Sequence, residues 1–122
     1  MNLLNSIIDR TEKNGGATYH GADGFLKGSK KYSVSIYPSR STVVDELTTT
    51  ELERFIGRNV DILSHDDNSL GTWKDESGKV WMDVVRTIDN RERAIELGIE
   101  NNQIAIYGLE NGELIETGGT GS

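Results

Sequence analysis

Residues 70–119 read LGTWKDESGKVWMDVVRTIDNRERAIELGIENNQIAIYGLENGELIETGG, and no other stretch limits the fold as tightly. A hairpin, a capped helix and a second hairpin follow one another without a gap. Residues 70–74 and 79–88 read as strands around Asp75-Glu-Ser-Gly78, a loop of hairpin length with glycine at its end. Along the second strand Val80, Met82 and Val84 share one face, while Trp81, Asp83 and Val85 share the other. Apolar groups on both faces predict a central strand covered on each side. Asp89 and Glu92 are spaced as a capping box, with acidic groups at the positive end of the helix dipole. Ala94, Ile95, Leu97, Gly98 and Ile99 fill one side of that helix, and Asn101-Asn102 ends it because Asn tolerates the left-handed conformation. A strand over 103–109, the turn signal Asn111-Gly112 and a return over 113–117 complete the stretch.

The first half is less sharply written. Leu3, Leu4, Ile7 and Ile8 form one face of a short helix within residues 1–14, closed by Asn14-Gly15-Gly16. Residues 17–20 and 25–27 predict a hairpin around Gly21-Ala-Asp-Gly24, followed by a polar connection over 27–31. Tyr32, Val34 and Ile36 alternate with Ser33, Ser35 and Tyr37, the pattern of a half-buried strand. Pro38, the sole proline, stops that strand, and Thr42-Val-Val44 returns as a short edge strand. Thr48 and Glu51 form a capping box, with Leu47 and Leu52 as its hydrophobic staple. Leu52, Phe55, Ile56, Val60 and Leu63 then hold one helical face. The glycine-rich tail, residues 118–122, has few side chains to pack and is expected to be flexible.

These elements predict one α+β domain over residues 1–122, with an antiparallel or mixed sheet, two main helices, terminal β-hairpins and a short N-terminal helix. From Tyr32 to Tyr107 their order fits a ferredoxin-like βαββαβ unit. It fits equally a different α+β sheet with helices on one face. A chain of 122 residues can bury roughly 65% of its unfolded surface, enough for one modest core.

Composition narrows function by exclusion. The 34% hydrophobic and 27% charged content is that of a folded domain, and no apolar run approaches a membrane span. The start lacks the basic and apolar regions of a signal peptide, so it reads as a retained N-terminus. With no cysteine, disulfides and thiolate metal sites are excluded. A net charge of −7 argues against direct nucleic-acid binding; it serves solubility or attracts a partner with a basic surface.

No catalytic constellation is visible. Catalytic Cys is absent, no nucleophile elbow occurs, and the Gly118–Gly121 segment is followed by no helix that could bind phosphate. His20 and the run His65-Asp66-Asp67 are too few for a closed metal site, so neither metal nor cofactor is assigned. Six residues stand out as binding candidates. Asp83 is a charge in mid-strand, for which Arg86, Arg91 or Arg93 offers an ion-pair partner at a sheet edge. The same three arginines flank a helix start and define an alternative, an anion clamp for a nucleotide or small anion. Tyr37, opposite the apolar face of its strand, and Trp73 are candidate contact aromatics.

The motifs LGTW, SGKVWMDVV and DNRERAIELGIENNQIAIYGLENGELIETGG, with GGATYHGADG and YSVSIYP upstream, resemble small uncharacterised proteins of bacteriophages and other bacterial mobile elements. The resemblance spans residues 15–119. It implies a short accessory protein in the cytoplasm of a bacterial host. The expectation is a non-enzymatic protein that binds a protein partner, as an inhibitor of a host defence or nucleic-acid-processing complex. An oligomeric structural component, paired through sheet edges, is the third reading.

Overall fold

The computed structural model describes residues 2–26 and 30–120. The expected strand end at Lys27, most of the polar connection after it and the last two residues of the tail lie outside those described. Eight strands form one wholly antiparallel sheet. Its spine is the hairpin of β5 (Asn68–Lys74) and β6 (Val80–Ile88), paired from Asn68↔Arg86 to Lys74↔Val80. On the far side of β6, β3 (Tyr32–Ser35) pairs with the distal half and β4 (Thr42–Val44) with the half nearest the loop. β1 (Gly16–His20) extends the sheet beyond β5, and β2 (Gly24–Phe25) lies outside it. At the other end β7 (Ala105–Gly108) pairs with β3, and β8 (Glu113–Glu116) forms the edge. The sequence expectation of a central, doubly covered strand therefore describes β6.

The helices stack on one face. α1 (Leu3–Asn14) and α2 (Thr49–Arg58) cover Leu70, Val80, Met82 and Val84 through Ile7, Leu52 and Phe55, all buried. The Thr72 hydroxyl meets Thr11 Oγ1 at 2.6 Å, and Thr11 donates to the Ile7 carbonyl at 2.7 Å. This buried polar chain pins α1 to β5 without leaving an unpaired group. α4 (Arg91–Glu100) covers the other half of the face, where Ala94 packs with Val34 and Ile106. Gly98 permits that closeness: a Cβ there would lie 2.8 Å from Ile106 Cγ2.

Several local expectations are corrected. Four α-helices occur among the described residues rather than two main ones, and the N-terminal helix, capped by Asn2 and closed by left-handed Gly15, is the longest. The helix expected from Leu52 to Leu63 breaks at Asn59 before the four-residue α3 (Val60–Leu63). Asn59 turns its amide back to the Phe55 carbonyl at 2.8 Å and accepts from Arg40 at 3.0 Å, so Val60 is left exposed. At α4 the cap is Asn90, whose Oδ1 accepts from the Arg93 amide at 2.8 Å, and not Asp89. Ile99 points away from the core and is exposed. The Asn111-Gly112 pair is not a two-residue turn, because Gly108 pairs with Glu113 and only Gly112 has positive φ. Residues 118–120 are tied down: the Gly119 amide donates to the Gln103 carbonyl at 3.0 Å, and the Asn102 side chain bonds Thr120.

Candidate functional site

Among the described residues the second face of the sheet carries no helix, yet much of it is buried. Ser33, Ser35, Ser69, Gly71 and Val85 are all closed off from solvent there. The cause is curvature. Ala17 and Thr18 of β1 and Ala105, Tyr107 and Leu114 of the β7–β8 end line the same cavity as β5 and β6, so the sheet wraps round on itself. The cavity measures about 70 Å³ and is open to solvent on one side. A sheet of this many strands twists strongly, and its ends converge on the concave side.

Asp83 sits on this concave face at the middle of β6, with Gly71 directly across on β5. Its Oδ1 accepts hydrogen bonds from the Ser41 hydroxyl and, at 3.4 Å, from the Ser35 hydroxyl. Among the described residues no cation pairs with it, and nothing bonds its Oδ2. The expected ion pair with an arginine is thus absent, and Asp83 lies on a central strand rather than a sheet edge. Burial pushes its pKa above the ordinary carboxylate range, and the two serine hydroxyls oppose the rise without cancelling it.

The surroundings fix this geometry. The Arg40 guanidinium grips Asp61 through two hydrogen bonds of 3.1 and 3.0 Å, which anchors the 3-10 turn Pro38–Arg40. Ser41, the next residue, is thereby presented to Asp83. Trp73 and Trp81 face each other across the hairpin, ring centroids 6.2 Å apart, and both line the cavity. The Trp81 indole donates to Asp75 Oδ2 at 2.9 Å, while Asp75 Oδ1 accepts from Ser77 and from the Lys79 amide. Hydrogen bonds from the Ser77 hydroxyl, then from the Trp81 indole, hold Asp75 below the ordinary carboxylate range.

Outside the cavity, Trp73, Ile104 and Leu114 continue into an open hollow of about 520 Å³. Asp75, Glu76 and Glu116 rim it. Its one cation, Lys74, is engaged by Glu12 at 2.8 Å. The concave face is therefore an aromatic slot with an acidic mouth and a carboxyl at its floor.

The sequence candidates divide. Asp83 and Trp73 come together in this slot, joined by Trp81, Ser35, Ser41, Gly71 and Tyr107, which sequence reasoning did not assign to a site. Tyr37 lies past the end of β3, half-buried against the helix-side core, where its hydroxyl accepts from Asn68 at 3.3 Å. The three arginines are not brought together. Arg91 pairs with Glu113 at 3.8 Å, and Arg93 pairs with Glu96 at 3.1 Å and Glu100 at 3.6 Å. Arg86 lies on the helix-covered face beside Asn68, where its Nε and Asn68 Oδ1 are buried without a hydrogen-bond partner among the described residues. A polar hollow of about 260 Å³ includes Arg91 but neither Arg86 nor Arg93. His20 is structural in its contacts: Nε2 meets the Asp66 carbonyl at 2.6 Å and Nδ1 accepts two amides at 3.1 Å.

The opposed shifts give an ordered acid response. As pH falls, Asp83 is expected to take up its proton first, and Asp75 only below the ordinary carboxylate range. The stability that Asp75 contributes is present above its unfolded value and lost as pH falls through its folded one. Tryptophan emission should therefore change in two separate acid steps, and the Asp75→Asn variant should lose the lower one.

Compared with protein-family models, curated proteins and solved structures, the chain matches none of them.

Proposed function

We propose that this protein is a non-enzymatic binding module that docks a basic segment of a protein partner on its concave face. The observation that carries the reading is the acidic mouth, Asp75, Glu76 and Glu116, set around the apolar surface of Trp73, Ile104 and Leu114. Aromatic surface supplies contact area, and like-signed charge around it selects a partner of opposite sign and speeds encounter. The net charge of −7 acts in the same direction at longer range. In the mobile-element setting that the resemblance implies, such a module would work in the cytoplasm of a bacterial host. It would inhibit a defence or nucleic-acid-processing complex by occupying a basic surface of that complex.

The other readings have less to support them. The anion clamp needs its arginines together, and each has its own acidic partner or lies under a helix. Pairing through sheet edges is disfavoured at β8, where Glu113 and Glu116 face an incoming strand with charge. For the fold itself, a ferredoxin-like centre is supported by the strand order β5-β6-β3-β7 and by helices in both crossovers, α2 and α3 between β3 and β5 and α4 between β6 and β7.

A short peptide alternating arginine and glycine tests the docking reading. It is expected to bind at low salt and to weaken sharply at roughly physiological ionic strength, as screening shortens the reach of exposed charge. The Glu76→Lys/Glu116→Lys double variant should lose most of that binding. Equal binding of an acidic peptide, or no binding of the basic one at low salt, overturns the proposal.

A further inference from the structure

We propose that the cavity behind the acidic mouth is an arginine-recognition site: one guanidinium from the basic segment lies against Trp73 and Trp81 and pairs with Asp83. This deepens the docking reading and rests on it. Asp83 is a half-buried carboxyl whose hydroxyl partners lie on Oδ1 alone. Enclosed carboxylates are ordinarily matched by a cation or by several hydrogen bonds, because stripping water from a charge is costly. Here the protein supplies neither to Oδ2 among the described residues, and the carboxyl faces a cavity. The chemistry that completes it is a cation brought from outside.

Three features choose a guanidinium. The cavity, about 70 Å³, holds only a few heavy atoms when one water needs roughly 10–15 Å³ measured the same way, so it takes a head group and not a chain. Trp73, Trp81 and Tyr107 are in its lining, and a planar, weakly hydrated guanidinium stacks on aromatic faces better than a compact, strongly hydrated ammonium. Gly71, opposite Asp83, lets the Val85 side chain pack down against β5, since a Cβ there would lie 2.8 Å from Val85 Cγ1, and Val85 closes one side of the cavity beside the carboxyl.

Both tryptophans of the chain line this cavity, so their emission reports occupancy directly. The probe is the pentapeptide acetyl-Gly-Gly-Arg-Gly-Gly-amide, with lysine and citrulline versions beside it. The arginine peptide is expected to change the emission saturably, the lysine peptide to bind more weakly, and the uncharged citrulline peptide to have no effect. Asp83→Asn, checked for folding by circular dichroism, should weaken the arginine peptide by about tenfold or more. Leu114→Lys, which sets a cation at the cavity wall without touching Asp83, should weaken it too and decides the matter if the first variant does not fold. Equal affinity in wild type and both variants overturns the anchor, and so does a silent pentapeptide when the longer arginine–glycine peptide still binds. Failure of both basic peptides removes the docking reading as well.

Discussion

Replacing Phe55 with alanine is expected to cost about 3–5 kcal/mol, the range for emptying a fully buried aromatic site. Phe55 has no exposed surface and lies in the cluster that joins α1 and α2 to Val80, Met82 and Val84. Its carbonyl also receives the Asn59 amide that breaks the helix, so the surroundings cannot easily collapse into the space. A domain whose whole stability is roughly 5–15 kcal/mol should show this as a large fall in the urea midpoint, with little change in slope. The effect reaches the site. Those same β6 residues alternate with Trp81, Asp83 and Val85, so loosening the helix side also loosens the floor of the cavity. A variant as stable as wild type would contradict the core described here.

Asp83→Asn has the opposite sign. It is expected to stabilise the free protein at neutral pH by about 1 kcal/mol, the low end for a polar group that is half-buried and keeps two hydroxyl partners. The sign follows from linkage. Asp83 has a folded-state pKa above its unfolded value, so the native state holds the proton more tightly. Raising the pH through the window between the ordinary carboxylate value and the raised one therefore lowers stability. The penalty is absent below the window and complete above it. Asparagine carries no charge and keeps an oxygen for Ser41 and Ser35. Thermal unfolding of both proteins across that window should show curves that coincide in acid and separate as pH rises. A variant less stable than wild type at neutral pH would mean that the charge is already compensated. A change that strengthens the fold while weakening peptide binding is the mark of a residue kept for its ligand.

The legible part of this fold was local chemistry. The alternation in β6, the staple of Leu47 and Leu52, the Thr48 cap and the short strand over residues 42–44 all follow from neighbours within a few residues, whereas the pairing of that strand with β6 does not. The same short range explains the errors. Asp89 and Asn90 both offer a cap, and only the backbone path at the end of β6 selects Asn90. Val60 fits the helical period, but Asn59 and Arg40, nineteen residues apart, break the helix beneath it. Curvature was the largest omission. Ser33 and Ser35 read as the solvent side of a half-buried strand, and they are buried because the sheet ends converge over them.

Asp83 was visible as a charge out of place, but its partners were not. An arginine is the usual answer to such a charge, and Ser41 reaches it only because β4 and the turn before it pack beside β6. The register was missed by one residue. The loop read from the sequence, 75–78, sets Trp73 against Val80, whereas the five-residue loop 75–79 sets Trp73 against Trp81 and Gly71 against Asp83, an aromatic pair and a glycine on the face of the odd carboxyl. A glycine inside a strand marks a close approach, and here it marks the site.

The central claim is that Asp83, a half-buried carboxyl with no cation beside it among the described residues, is paired by an arginine of the partner. Carbon-13 carboxyl resonances followed through a pH titration, with and without the arginine pentapeptide, measure this most directly. The prediction is that free Asp83 titrates above the ordinary carboxylate range and that saturating peptide moves its midpoint downward, because a nearby cation favours the charged form. A midpoint at the ordinary value that stays in place when the peptide is added would contradict it.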